Sequence, residues 1–171
     1  AALHASAAAR LQPVSAGAQR LVARALRAAG KPDEALSHWV AIDSPHEADR
    51  IETARCAIDA GQLDVATRVA ESLAHSKSAS AVSLALLGKA LMAAGRTVEA
   101  RERLEAACAA DPRDPEAWTA LAECQAALGD PQAAGTTLAS AVQAAPGSGP
   151  VQHAYAVWLR GQGRVSEALD A

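Results

Sequence analysis

The sequence predicts an all-α protein in which one helix pair is repeated along the chain, and three observations carry that reading. Ala fills 47 of the 171 positions, and Ala has the best intrinsic helix propensity. Aromatic residues make up 2% and Phe is absent, whereas strands favour aromatic and β-branched side chains. Gly61, Gly95, Gly129 and Gly163 recur every 34 residues, and Gly30 stands 31 before Gly61. Five positions after each glycine comes an alanine: Ala35, Ala66, Ala100, Ala134 and Ala168. A period of that length is the mark of stacked supersecondary units.

The columns predict helices over 1–11, 16–29, 32–43, 47–60, 63–76, 80–94, 97–110, 115–128, 131–144, 149–162 and 165–171. They group into the end of one unit at 1–13, then units 16–46, 47–80, 81–114 and 115–148, and a partial unit 149–171. Within a first helix, apolar residues three and four apart form one stripe, as in Leu84, Leu87 and Leu91, or Trp118 and Leu121. Ala120 belongs to a column outside that stripe. The recurring glycines end the first helices, where their tolerance of positive φ suits a C-cap. Pro32 and Pro131 suit the opening turn of second helices, and Pro112 and Pro146 end them. Small Ala100 and Ala134 fall where paired helices cross, so a larger side chain would force the helices apart. The second unit is the weakest, because Arg50 and Thr53 occupy normally apolar columns, and loose packing around Ala57 is the expectation.

This pattern resembles the tetratricopeptide repeat family over essentially the whole chain. The fullest unit carries Trp118, Leu121, Ala122, Gly129, Ala134, Leu138, Ala141 and Pro146 in register; the one before it carries Leu84, Leu87, Gly88, Leu91, Gly95, Ala100, Leu104, Ala107 and Pro112. The large tyrosine of the family's eleventh position is replaced by Leu26, Ala57, Leu91, Gln125 and Leu159. The resemblance implies a right-handed α-solenoid of stacked antiparallel helix pairs. Neither end resembles a polar capping helix, so the chain reads as a piece cut within a longer array.

Composition excludes several function classes. A net charge of −3 and a pI near 5.9 leave no basic footprint for nucleic acid. No apolar run approaches the length that spans a bilayer, and Ala1 to Arg10 lacks the pattern of a signal peptide. Cys56, Cys108 and Cys124 form no C-x-x-C pair, which argues against a zinc site and points to a reducing, cytoplasmic compartment; a periplasmic location requires a leader outside this segment. His4, His38, His46, His75 and His153 are scattered among the units without a metal-binding spacing. No nucleophile elbow, P-loop or dinucleotide fingerprint occurs. The expectation is a non-catalytic segment without metal or cofactor.

Cys56 and Cys124 share one column beside the core stripe and read as buried structural residues. Trp118 takes the family's tryptophan column, and Trp39 a large-aromatic column of a second helix. Trp158 is oversized where the other units have Ala25, Cys56, Ala90 and Cys124; packing between repeats is the favoured reading, and contact with a ligand is the other.

In the resembled family the first helices line a concave groove through their second, fifth, ninth, twelfth and thirteenth positions. Carried onto this chain, the fifth column is Arg20, Ile51, Ala85, Thr119 and His153. The ninth is Arg24, Arg55, Lys89, Glu123 and Val157, and the twelfth is Arg27, Ile58, Met92, Ala126 and Arg160. The groove is therefore basic over three units and acidic at the fourth, with Glu116 nearby, and Ile51, Ala85, Ile58 and Met92 form an apolar floor. Two readings compete for the basic run. It is either a solvated face whose arginines pair with neighbours, such as Arg55 with Asp59 one turn on, or an anion-binding groove for an acidic segment or a C-terminal carboxylate. The family's carboxylate clamp for chaperone tails needs asparagines, and this chain has none.

The resemblance implies a protein–protein interaction scaffold that binds a peptide segment or helix in the groove. The alternatives are the repeat region of a larger enzyme, of glycosyltransferase or sulfotransferase type, or of a bacterial polysaccharide-export or secretion assembly. Self-association through exposed repeat ends is a third reading.

Overall fold

A computed structural model describes residues 15–76 and 79–170. The helix expected over 1–11, in the half-unit 1–13, lies outside the described residues. The rest form α1 (Ala16–Ala28), α2 (Pro32–Val40), α3 (Glu47–Asp59), α4 (Leu63–Ala74), α5 (Ala81–Ala93), α6 (Thr97–Ala110), α7 (Pro115–Ala127), α8 (Pro131–Ala144), α9 (Gly149–Gly161) and α10 (Val165–Asp170). No strand occurs among them. Each helix packs against its neighbours in sequence, and α3, α5, α7 and α9 also pack in series. The architecture is an α-solenoid of stacked helix pairs.

Boundaries fall within two residues of the expected ones except in α2, which stops at Val40 and not at 43. Pro45 disfavours helical geometry at the residue before it, and Ser44 turns the chain with φ of 54°. The 31-residue spacing from Gly30 to Gly61 thus reflects a second helix of 9 residues against 14 in α6 and α8. Ile42, in the loop after this short helix, is buried at 5% exposure and keeps the core closed.

The first helices end identically. Gly30, Gly61, Gly95, Gly129 and Gly163 have φ between 70° and 83°, a region costly for residues with a Cβ. The amide following each glycine donates to a carbonyl five residues back, as in Arg96 to Leu91 at 2.9 Å and Asp130 to Gln125 at 3.0 Å. This is the paired-bond cap that satisfies the last carbonyls of a helix, and it sets each second helix antiparallel to its first.

Small residues govern how closely the pairs approach. Ala35, Ala66 and Ala100 are fully buried, and Ala134 is 2% exposed. Gly88 shows how tight the α5–α6 crossing is: a Cβ there would lie 2.5 Å from Leu104 Cγ and 3.3 Å from the Ala100 carbonyl oxygen. Around Ala57, where loose packing was the expectation, Ala54, Cys56 and Ala57 are all shielded from solvent. The irregular columns act elsewhere. Thr53 satisfies its hydroxyl by donating to the Asp49 carbonyl at 2.7 Å, while Arg50 extends to Ser72 over a cleft of about 280 Å³ beside Trp39, Ile42 and Val69.

One sequence expectation about packing needs correction. Ala120 is 3% exposed and belongs to the main core cluster, so its column is covered as well as the stripe. Ala134 is buried at the α7–α8 crossing, where it also borders the cleft between α7, α8 and α9. Ala100 is the stringent position. Ala100→Leu should destabilise by about 1–3 kcal/mol through overpacking, whereas Ala106→Leu, exposed on the same helix, should stay within about 0.5 kcal/mol. Thermal melts of the two variants test this; equal shifts would contradict it.

Candidate functional site

The first helices α1, α3, α5, α7 and α9 carry the three groove columns, and their charged residues bond between repeats more than within them. Arg27 of α1 donates to Asp59 at 2.9 Å and to Glu52 at 3.1 Å, both on α3. Arg55 of α3 reaches Glu52 at 3.2 Å and Glu116 of α7 at 3.1 Å. Lys89 of α5 meets the other Glu116 oxygen at 2.5 Å. A chain of ion pairs thus runs Asp59, Arg27, Glu52, Arg55, Glu116, Lys89 across four first helices. In a straight row α3 and α7 would stand about 16–20 Å apart with α5 between them. The Arg55 and Glu116 side chains therefore reach across α5 to meet on the face formed by the first helices.

Arg20 is held apart from that chain. Its guanidinium grips Asp49 through two bonds of 2.7 Å, and Asp49, with its side chain 5% exposed, also accepts the amide of the N-cap residue His46 at 2.9 Å, closing the capping box at the start of α3. The Arg20 bonds outweigh burial and hold the Asp49 carboxyl below its usual range. At Glu116 burial pushes the carboxyl up, but Lys89, Arg55 and Arg27 together bring it below the usual range.

Of the residues assigned to the groove from sequence, Arg20, Arg27, Arg55, Lys89 and Glu116 are therefore engaged in ion pairs. The anticipated Arg55–Asp59 pair does not form; Asp59 takes Arg27 and Arg55 takes Glu52 and Glu116. Ile51, Ile58 and Met92 are half-buried against the core and Ala85 is buried. Arg24, Glu123, His153 and Arg160 are exposed and make no side-chain hydrogen bond or ion pair among the described residues, while Thr119 bonds back to its own helix. Asp49 and Glu52 were not singled out from sequence, because they lie outside the groove columns, whereas Asp59 stands in the thirteenth column and takes Arg27 of the preceding repeat in place of Arg55.

Beyond this chain of charges the groove face opens into an apolar cleft of about 390 Å³ between α7, α8 and α9. Ala122, Ala126, Ala134, Leu138, Ala154, Val157 and Trp158 make its wall, with Thr119, Glu123 and His153 at the edge. The size of Trp158 is accommodated by Gly135, where any Cβ would collide with the indole. Its Nε1 donates to the Pro131 carbonyl at 2.8 Å, and Tyr155 stacks on the ring at a centroid distance of 6.0 Å. Cys124, one repeat earlier in the same column, makes the corresponding bond to the Thr97 carbonyl at 3.3 Å. All three cysteines are buried; burial, with Asp114, pushes the Cys108 thiol up to about 12. Among the described residues no group of three His, Cys, Asp or Glu could hold a metal ion, and no helix is long and apolar enough to cross a membrane.

A row of first helices backed by second helices defines an α-solenoid of the interaction-scaffold class. The family model described as tetratricopeptide repeat matches residues 57–124 and 91–157, together more than half of the chain. The chain belongs to the tetratricopeptide repeat family, whose arrays mediate protein–protein interaction. A thermophilic TPR protein of Thermus thermophilus superposes with a TM-score of 0.76 at 20% identity, over 91% of this chain and 87% of that one. MamA of Desulfovibrio magneticus gives 0.65 at 16% identity, over 91% and 89%. A putative kinesin light chain of Podospora anserina with nearly identical TPR-like repeats gives 0.66 at 24%, over 89% and 88%. At these identities the likeness is one of fold. No curated protein matches the chain by sequence.

The Arg20–Asp49 pair gives a pH prediction. A carboxyl held low in the folded state contributes stability above its unfolded value, near 3.9, and loses it as pH falls through the folded value. Melting temperature should therefore drop on acidification, and Asp49→Asn should lower it at neutral pH while flattening that acid dependence. An acid limb of unchanged steepness in the variant would show that Asp49 does not carry it.

Proposed function

We propose that this array is a non-catalytic scaffold that binds a segment or helix of another protein along its concave groove. The observation that carries the reading is the division of the groove face. Its middle is braced by ion pairs between first helices, whereas both flanks carry side chains without partners among the described residues: Arg24 at one end, and Glu123, Val157, His153 and Arg160 at the other. A braced groove loses little freedom on binding, which favours affinity. The lining residues of the proposed surface are those of the three columns together with Glu116.

Acidic residues of the partner are placed at the α1 end, where Arg24 is the cation that no carboxylate of the chain engages among the described residues. Arg55 and Lys89 share that face, but Glu116 occupies both, so a carboxylate ligand must displace it. This makes Glu116 the informative position. A peptide of alternating Glu and Ser should bind more weakly as salt rises, as exposed charge contacts do. Glu116→Gln should strengthen it by releasing Arg55 and Lys89, and Arg24→Glu should weaken it more than Arg160→Glu. Titration calorimetry with the Lys–Ser counterpart as control tests this. Equal binding of both peptides, or binding indifferent to salt, would rule out an anion-binding groove.

A further inference from the structure

The cleft at the other end of the groove exists because of four small residues. Ala126 stands in the column where Ile58 and Met92 fill the space between their first helices. Ala122, Ala134 and Ala154 line the gap, and Leu138 of α8 shows at its base. The buried core divides here: Ala122, Ala134 and Leu138 pack with Ala154, Tyr155 and Trp158 as a cluster apart from the main core. Trp158 is fixed on two sides, by its bond to Pro131 and by Tyr155, so the indole is a rigid wall and its N–H is not on offer. At the mouth, Val157 is 42% exposed in a column that carries Arg24, Arg55, Lys89 and Glu123 in the other units. An aliphatic residue exposed in a charged column, above a pocket in the size range of small ligand sites, is the signature of a place for one apolar side chain.

The rim gives the charge of what enters. Glu123 borders the cleft, is exposed, and makes no ion pair among the described residues, whereas Glu116, two turns earlier on α7, is taken by Arg55 and Lys89. We infer that the cleft between α7, α8 and α9 receives an aliphatic side chain of the partner segment, flanked in the partner by a lysine or arginine that pairs with Glu123. The inference rests on the scaffold reading and adds to it a polarity: acidic residues of the partner over Arg24, and an apolar residue beside a cation over Trp158.

The probe is a capped peptide, acetyl-Ser-Gly-Leu-Lys-Gly-Ser-amide, with two controls in which Leu-Lys becomes Ala-Lys or Leu-Glu. The chain carries three tryptophans, so incorporation of 5-fluorotryptophan gives three fluorine NMR signals, and Trp158→Phe identifies the one at the cleft. The Leu-Lys peptide should shift the Trp158 signal. The Ala-Lys control should require about tenfold more peptide, the factor set by losing roughly one buried aliphatic side chain. The Leu-Glu control should also bind more weakly, because attraction to Glu123 becomes repulsion. Ala126→Met, which copies Met92 at an exposed position and leaves the core untouched, should close the cleft and abolish the shift. Glu123→Lys should reverse the preference towards Leu-Glu. A Trp158 signal that responds equally to Ala-Lys, or a response that survives Ala126→Met, would overturn the inference. If Trp158 stays silent while the Glu–Ser peptide still binds and depends on Arg24, the cleft inference falls and the groove reading stands. If neither peptide binds, the groove reading falls with it.

Discussion

The close crossing of each helix pair over an alanine is the constraint on which the rest of this structure depends. Ala35, Ala66, Ala100 and Ala134 place their second helices against first helices that themselves present Ala23, Ala54, Gly88 and Ala122. With so little side chain between them, backbones approach closely and dispersion contacts are many. The positive-φ glycine at the end of each first helix delivers the chain to that crossing at the same angle every time. Repetition of one local geometry generates the solenoid, and the solenoid places the first helices side by side on one face.

The electrostatics of that face follow from the stacking. Charges that are four residues apart on one helix interact weakly in water, and this protein places its groove charges so that they meet across repeats. Glu116 is the clearest case, joining Arg55 and Lys89 from helices that precede its own. Exposed ion pairs contribute little each, so their main effect here is geometric: they hold the row of helices in one relative position. Where the row lacks them, between α7 and α9, small side chains leave the apolar cleft in their place.

The repeat, the helix order and the helix ends were all legible in the sequence, because each depends on residues within one unit. The short α2 was legible only as a 31-residue spacing; which helix lost the residues was decided by Pro45 and Ser44. What escaped the sequence depends on relations between units. The Arg55–Glu116 contact joins residues 61 apart in the chain, on helices separated in the row by α5. Ala120 lies outside the stripe of its own helix and is nonetheless buried in the stacked core. Trp158 looked oversized because its column was compared with other units, whereas the accommodating residue, Gly135, lies in a different column of the preceding second helix. Ala126 was visible as a small residue in a column of larger ones, but a gap in a column becomes a cleft only when the neighbouring units are also small there.

The central claim is that partners bind on the concave wall of first helices. Its most direct test is a nitrogen–proton correlation spectrum of the labelled chain titrated with the Leu-Lys peptide. Binding as described here moves the amides of α7 and α9 around Ala126, His153 and Val157, and leaves the outer faces of α2, α4 and α6 unperturbed. Shifts concentrated on those outer faces, with the first helices silent, would contradict the account.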